Sequence, residues 1–197
     1  LIGLIFIILQ NMQTKKKIQQ SFLSLLKGKE FTKISIKDIT DSACINRGTF
    51  YLHYLDKYDL LEKVEEELLE GLRLHIASID SEYKVEMVKQ LQVAGFSMEV
   101  FRYIEMHVDQ FIVLLSKNNT SGFHLRLKKF FVEQFEENYQ TTEMSSIDPT
   151  IPTDYLSAFA ASAILGLIEQ WLSHTHRETP EEVAVLYLKI LNFIKSV

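Results

Sequence analysis

At 197 residues and 47% hydrophobic, the chain carries enough apolar material for a real core, which excludes a wholly disordered protein. Its length fits one medium domain, or a small domain joined to a larger one. Only 7 glycines and 3 prolines, too few for an all-β chain that must turn often, tilt it toward helices, and a net charge of -5 is unlike a nucleic-acid binder taken as a whole.

In chain order, Leu1 to Leu9 is apolar apart from Gly3. This stretch is shorter than the roughly 20 residues that span a bilayer as a helix. It also lacks the basic start and small-residue cleavage site of a secretory signal. No membrane association is expected, and the protein is assigned to the cytoplasm. Residues 1–13 read as an extension to a domain that begins at Thr14, the part before Met12 being either an over-extended start or appendage, or a short extra helix or arm.

From Thr14, Ile18, Phe22, Leu25 and Leu26 fall on one helical face, and Gly28 is expected to close that helix as a C-terminal glycine. Thr32 to Ile34 forms a connector. Ser35 with Asp38 marks a capped helix start, and Ile36, Ile39 and Ala43 supply its inner stripe. After a turn at Cys44-Ile45-Asn46, Asn46 caps a short helix over Arg47 to Tyr54, with Phe50 and Tyr54 inward. Asp56 caps a long helix from Lys57. Two short helices joined by a three-residue turn, backed by a third, make a helix-turn-helix layout.

Charge agrees with that layout. Up to position 57 there are nine basic residues and four acidic ones (Glu30, Asp38, Asp41 and Asp56). Nine minus four leaves +5 there, so the remainder carries -10. A basic head on an acidic body directs phosphate affinity to one end.

The segment Ser35 to Leu61 resembles the signature of tetracycline-repressor (TetR) family regulators. Ile36, Ile39, Ala43, Ile45, Gly48, Thr49, Phe50, Tyr51, Tyr54, Lys57 and Leu60 carry the resemblance. Thr40, Asn46 and Cys44 depart from it, standing where the family pattern has Ala, Ser and Gly. Glycine at the Cys44 position supports a left-handed backbone, so either Cys44 tolerates that conformation or the turn is shifted. The thiol itself is either a sensor or a small residue packed in the turn; with one cysteine, no intrachain disulfide forms.

The resemblance implies double-stranded operator DNA as partner, with the outward residues of the Arg47 helix in the major groove. Arg47 and Thr49 are expected at base edges, Tyr51 and His53 at the backbone. Lys57 and Lys37, near helix starts, are expected to meet phosphates. Tyr51 and His53 also read as partly buried packing residues, and Lys15 to Lys17 either as phosphate contacts or as a solvated arm.

Residues 14–60 are therefore expected to form the DNA-binding domain and 61–197 the ligand-binding and dimerisation domain, in an all-α fold of about nine helices. Helices are expected from Lys57 to about Ile79, Val85 to Met106, Asp109 to Lys117, Phe123 to Tyr139 and Asp154 to about Thr175. Asn118 to Gly122 reads as a turn and Thr141 to Thr153 as a loop. Thr179-Pro180-Glu181-Glu182 starts the final helix: Thr at N-cap, Pro in the first turn, Glu three residues on.

Gly166, Trp171, Leu172 and Thr179 to Glu182 resemble the end of many TetR-type chains, more loosely than the head does. This implies a homodimer through the last two helices, with Ala158, Ser162, Leu165, Glu169, Leu186 and Ile190 as candidate interface positions. It further implies a small apolar or cationic effector, with Phe101, Tyr103, His107, Phe111, Phe131, Phe135 and Trp171 as candidate lining; aromatic residues at helical spacing also read simply as core. The implied function is a repressor released from a palindromic operator by that effector. The alternative is a regulator governed by a partner protein through its C-terminal domain. His174 and His176 lack metal-ligand spacing, no catalytic motif is present, and neither enzyme activity, metal nor cofactor is expected.

Overall fold

The computed structural model describes residues 2–77, 89–141 and 151–196. Among the described residues the regular structure is entirely helical. It comprises α1 (Ile2–Gly28), a 3-10 turn (Phe31–Lys33), α2 (Ile36–Ser42), α3 (Arg47–Tyr51), α4 (Lys57–Ala77) and α5 (Lys89–Met106). Then follow α6 (Val108–Leu114), α7 (Phe123–Thr141), α8 (Thr153–Ser173) and α9 (Pro180–Ser196). Most of the loop expected at 141–153, and the start expected at Val85, lie outside the described residues.

The chain forms two compact units. The first runs to Leu68 and also takes in Ile112–Ser121; the second comprises Leu69–Phe111 and the chain from Gly122 onward. The unit holding the expected head therefore includes part of α4 and a ten-residue segment from far along the chain.

In the first unit, α1 buries Ile18, Phe22 and Leu26 completely, against a core that includes Phe31, Ile39, Phe50 and Leu60. Each such side chain contributes about 1.5–3 kcal/mol of transfer free energy. The helix begins twelve residues before the expected Thr14, because nothing between Leu4 and Thr14 breaks it, and Ile5 to Leu9 are exposed. Gly28 is its last residue, as expected, but the left-handed cap is absent: among the described glycines only Gly122 has positive φ, at 79°. The α1 carbonyls are satisfied instead by side chains from elsewhere, described below.

Helix starts follow their local signals. Ser35 Oγ accepts from the Asp38 amide at 3.1 Å while the Asp38 carboxylate accepts from the Ser35 amide at 2.8 Å. Asp56 Oδ1 accepts from the amides of Tyr58 and Asp59 at 2.8 and 2.9 Å. Thr179 and Glu182 form the same reciprocal pair at the head of α9.

In the second unit α7 packs along α8, and α9 along α5. Gly71 is required where α4 meets α5, since a Cβ there would collide with the Tyr103 hydroxyl. By length and composition α8 is apolar enough to cross a membrane. Ser157, Ala161, Ile164, Leu165, Ile168 and Trp171 form its buried side, and the opposite side is exposed.

Candidate nucleic-acid interface

The turn between α2 and α3 resolves the Cys44 question. Cys44 adopts φ 52°, in the left-handed region, and its side chain is exposed rather than packed. The Cys44 amide reaches Asp41 O at 3.2 Å, and that of Ile45 reaches Thr40 O at 3.0 Å, so the turn keeps its hydrogen bonds and the cysteine bears the strain. Thr40 is buried, and its hydroxyl is satisfied by donating to Lys37 O at 3.1 Å.

Asn46 then caps α3, its Oδ1 accepting from the Thr49 amide at 2.7 Å and the Thr49 hydroxyl at 3.1 Å. A Cβ on Gly48 would stand 3.2 Å from that same oxygen, so glycine lets the cap sit close. α3 is five residues long and ends at Tyr51, shorter than expected. Phe50 and Tyr54 are nonetheless buried, with ring centroids 5.7 Å apart.

Lys37, Arg47 and Tyr51 are exposed; Thr49 and His53 are half-buried. Leu52, unremarked in the sequence, is 82% exposed beside Tyr51. Burial and the nearby Lys15 charge hold the His53 imidazole below its usual value of 6.5.

Lys57 is arranged differently from the phosphate contact expected of it. Its ammonium donates to Phe31 O at 3.0 Å, Thr32 O at 3.1 Å and Ile34 O at 2.8 Å. It also lies 4.8 Å from the Phe31 ring centroid. An ammonium has three N–H groups, and here all three are engaged.

Other head cations are also occupied. Lys15 pairs with Glu67, Lys29 with Asp38 at 2.9 Å and Lys33 with Glu30 at 3.0 Å. The Asp38 carboxylate is held far below its ordinary range by the Ser35 amide and then by Lys29. Among the described residues, Lys16, Lys17, Lys37 and Arg47 form no ion pair or hydrogen bond within the chain.

The second unit contains the other candidate residues. Phe101 and Trp171 are buried edge to face, 5.4 Å apart, and the indole Nε1 donates to Glu178 O at 2.9 Å. Tyr103 lies against His75, His107 and Phe111, at 5.5, 4.4 and 6.3 Å between centroids. Phe131 is buried against Phe130, and Phe135 is half-buried.

Ala158, Ser162, Glu169, Leu186 and Ile190 are exposed, whereas Leu165 is buried. Tyr155, Phe159 and Val185 are also exposed on these two helices. No group of three metal-ligating side chains occurs among the described residues.

A family model described as a transcriptional regulator C-terminal region, of TetR type, matches residues 92–193, just over half the chain. The chain belongs to the TetR family of transcriptional regulators. Its family and relatives are regulators of transcription, not enzymes. It is 24% identical over 169 residues to the uncharacterized HTH-type transcriptional regulator YxbF of Bacillus subtilis (strain 168), matching over 85% of its own length. It spans only 42% of that relative's length.

Among solved structures, a TetR regulator from Streptococcus agalactiae 2603V matches with TM-score 0.64 and 24% identity, over 92% of this chain and 95% of that one. NalD of Pseudomonas aeruginosa, the secondary repressor of the MexAB-OprM multidrug efflux pump, matches with TM-score 0.69 and 18% identity, over 93% and 96%. These likenesses extend the shared all-α fold over nearly the whole of this TetR-family chain.

Two stability measurements check the head. Cys44→Gly relieves the left-handed strain and should raise the free energy of unfolding by about 1 kcal/mol, whereas Cys44→Val should lower it, both read by urea titration. The lowered His53 pKa means that the folded head favours neutral imidazole. That contribution is complete above about pH 6.5 and is lost as the pH falls from there through the lower folded value. His53→Gln should therefore flatten the acid side of a stability-against-pH curve; an unchanged curve would show that His53 does not contribute.

Proposed function

We propose that this TetR-family regulator is a cytoplasmic, dimeric repressor that binds a palindromic operator and is released by a small apolar or cationic effector. The observation that carries the DNA-binding part is the exposed set Lys37, Arg47 and Tyr51, two of them cations without an ion pair or hydrogen bond among the described residues, on and beside a capped α3. Arg47 at the first turn of α3 faces a base edge, with guanine its natural bidentate partner. Thr49 contacts the groove once its hydroxyl turns from Asn46. Tyr51, His53 and Lys37 contact the backbone. Lys57 supports this surface by holding the carbonyls of Phe31, Thr32 and Ile34.

Dimerisation is supported by the exposed residues of α8 and α9. Tyr155, Phe159, Val185 and Ile190 are large and exposed, while Ala158, Ser162 and Gly166 permit close approach of a second copy. Two heads related by a two-fold axis match a palindrome. The effector reading rests on the Tyr103, His107 and Phe111 rings, whose faces suit an apolar or cationic guest. NalD, a repressor by its description, supplies a precedent for repression on this fold.

Footprinting on DNA upstream of the chain's own gene, repeated with candidate effectors, tests the whole reading. Protection at low salt that a ligand abolishes is expected; no protection at low salt would overturn it. Salt titration separates the roles of single residues. In a dimer, Lys37→Ala removes one phosphate contact per protomer and should reduce the log–log salt slope by about 1.8, at about 0.9 per contact. Arg47→Ala should cost about 1–3 kcal/mol per half-site and relax preference at one base pair. Lys57→Ala should leave the slope unchanged while destabilising the head by about 2 kcal/mol through lost charge-assisted bonds.

For the dimer, Phe159→Glu with Ile190→Glu should convert the protein to monomer in sedimentation. A persistent dimer would remove α8 and α9 from the interface.

A further inference from the structure

The first unit contains a buried carboxylate that the DNA-facing residues leave unused. Glu65, in the middle of α4, is 1% exposed. It accepts a hydrogen bond from the Ser121 hydroxyl and a second from Asn119 Nδ2 at 3.3 Å. Asn119 Nδ2 also reaches Leu114 O at 2.8 Å, and its Oδ1 accepts from the Ser121 amide at 3.2 Å. The loop after α6 is thereby folded around the carboxylate.

The same loop also grips the end of α1. Asn118 Nδ2 donates to Leu26 O at 3.2 Å and Lys27 O at 3.3 Å, two of the carbonyls that a helix leaves unpaired at its C-terminus. Asn118 O accepts from the Phe31 amide at 2.9 Å. With no left-handed glycine at Gly28, this residue, some ninety positions away in sequence, supplies the cap.

We propose that Asn118–Ser121 and Glu65 form a polar latch that positions α1 and α4, and through them α2 and α3, for DNA binding. Asn118 and Glu65 are positioning residues, remote from the nucleic acid. This role rests on the DNA-binding reading above. Its physical basis is the cost of burial: a carboxylate out of water loses several kcal/mol unless fully hydrogen-bonded. Such a group enforces one arrangement of its donors, whereas an apolar contact of equal area tolerates sliding. Phe31, held by Asn118, belongs to the turn whose carbonyls Lys57 binds, so the latch and the ammonium fix the same connector.

The test compares Asn118→Ala, Ser121→Ala and Glu65→Gln with the wild-type full-length chain on the duplex that the wild type selects from a random library. Affinity, salt slope, thermal unfolding and amide hydrogen exchange are read together. Asn118→Ala and Ser121→Ala should each weaken binding roughly tenfold at a temperature where the protein stays folded. The salt slope should not change, because no phosphate contact is lost, and exchange should rise at Leu26–Ile34 and mid-α4. Glu65→Gln, which keeps an acceptor for Ser121, should bind within about threefold of wild type.

Lower melting temperatures with unchanged affinity would overturn the positioning role and leave a merely structural one. A reduced salt slope would also overturn it, by making Asn118 or Ser121 a direct phosphate contact. Failure of the wild type itself to select any duplex would sink the DNA-binding reading, and the positioning role with it. The exchange data would still report separately whether the latch holds α1 to α4.

Discussion

The head depends on one ammonium group. Lys57 directs its three N–H donors to the carbonyls of Phe31, Thr32 and Ile34, which belong to the connector immediately before the Ser35 cap of α2. On a half-buried lysine these three charge-assisted bonds together contribute about 2 kcal/mol. Exposed ion pairs such as Lys33 with Glu30 contribute about 0–1 kcal/mol. Lys57 therefore outweighs the surface pairs around it in setting where α2 begins. From that point the order is sequential: Ser35 caps α2, α2 carries Lys37, the Cys44 turn follows, and Asn46 caps α3 with Arg47 at its first turn.

What could be read from the sequence follows how far apart the partners are. The caps at Ser35, Asn46 and Asp56, and the Thr179–Glu182 pair, use residues two or three positions apart, so the sequence displays both members. The buried stripes of Ile18 and Phe22, and of Leu68 and Leu72, follow from helical period alone. The partners of Lys57 lie 23 to 26 residues away, and the α1 carbonyls that Asn118 caps 91 and 92. No local pattern marks them. A lysine at a helix start reads as a phosphate ligand until its neighbours in space are known.

Gly28 and Leu165 show two further limits. Glycine at a helix end signals a left-handed cap only if nothing else satisfies the last carbonyls, and here Asn118 does. Leu165 shares its helical stripe with Ala158 and Glu169, yet it is buried and they are exposed. Period assigns a residue to a stripe, but in a helix apolar on both sides it cannot say which stripe meets the chain's own core. The missing information in both cases is the position of a distant segment.

Formal charge is likewise only an upper bound on what the head offers to DNA. The first 57 residues carry nine basic side chains, but Lys15, Lys29, Lys33 and Lys57 are engaged with acceptors inside the chain. Counterion release scales with the cations that actually reach phosphates, not with the count in the sequence. Lys27 is engaged as well, and the four that have no partner among the described residues divide between α1, with Lys16 and Lys17, and the helix-turn-helix, with Lys37 and Arg47. An engaged lysine stiffens the scaffold, and a stiff scaffold reduces the ordering cost when the free cations bind. The two kinds of lysine thus act on the proposed DNA affinity by different routes. One sets its salt dependence, and the other sets how much of the free cations' binding energy is kept.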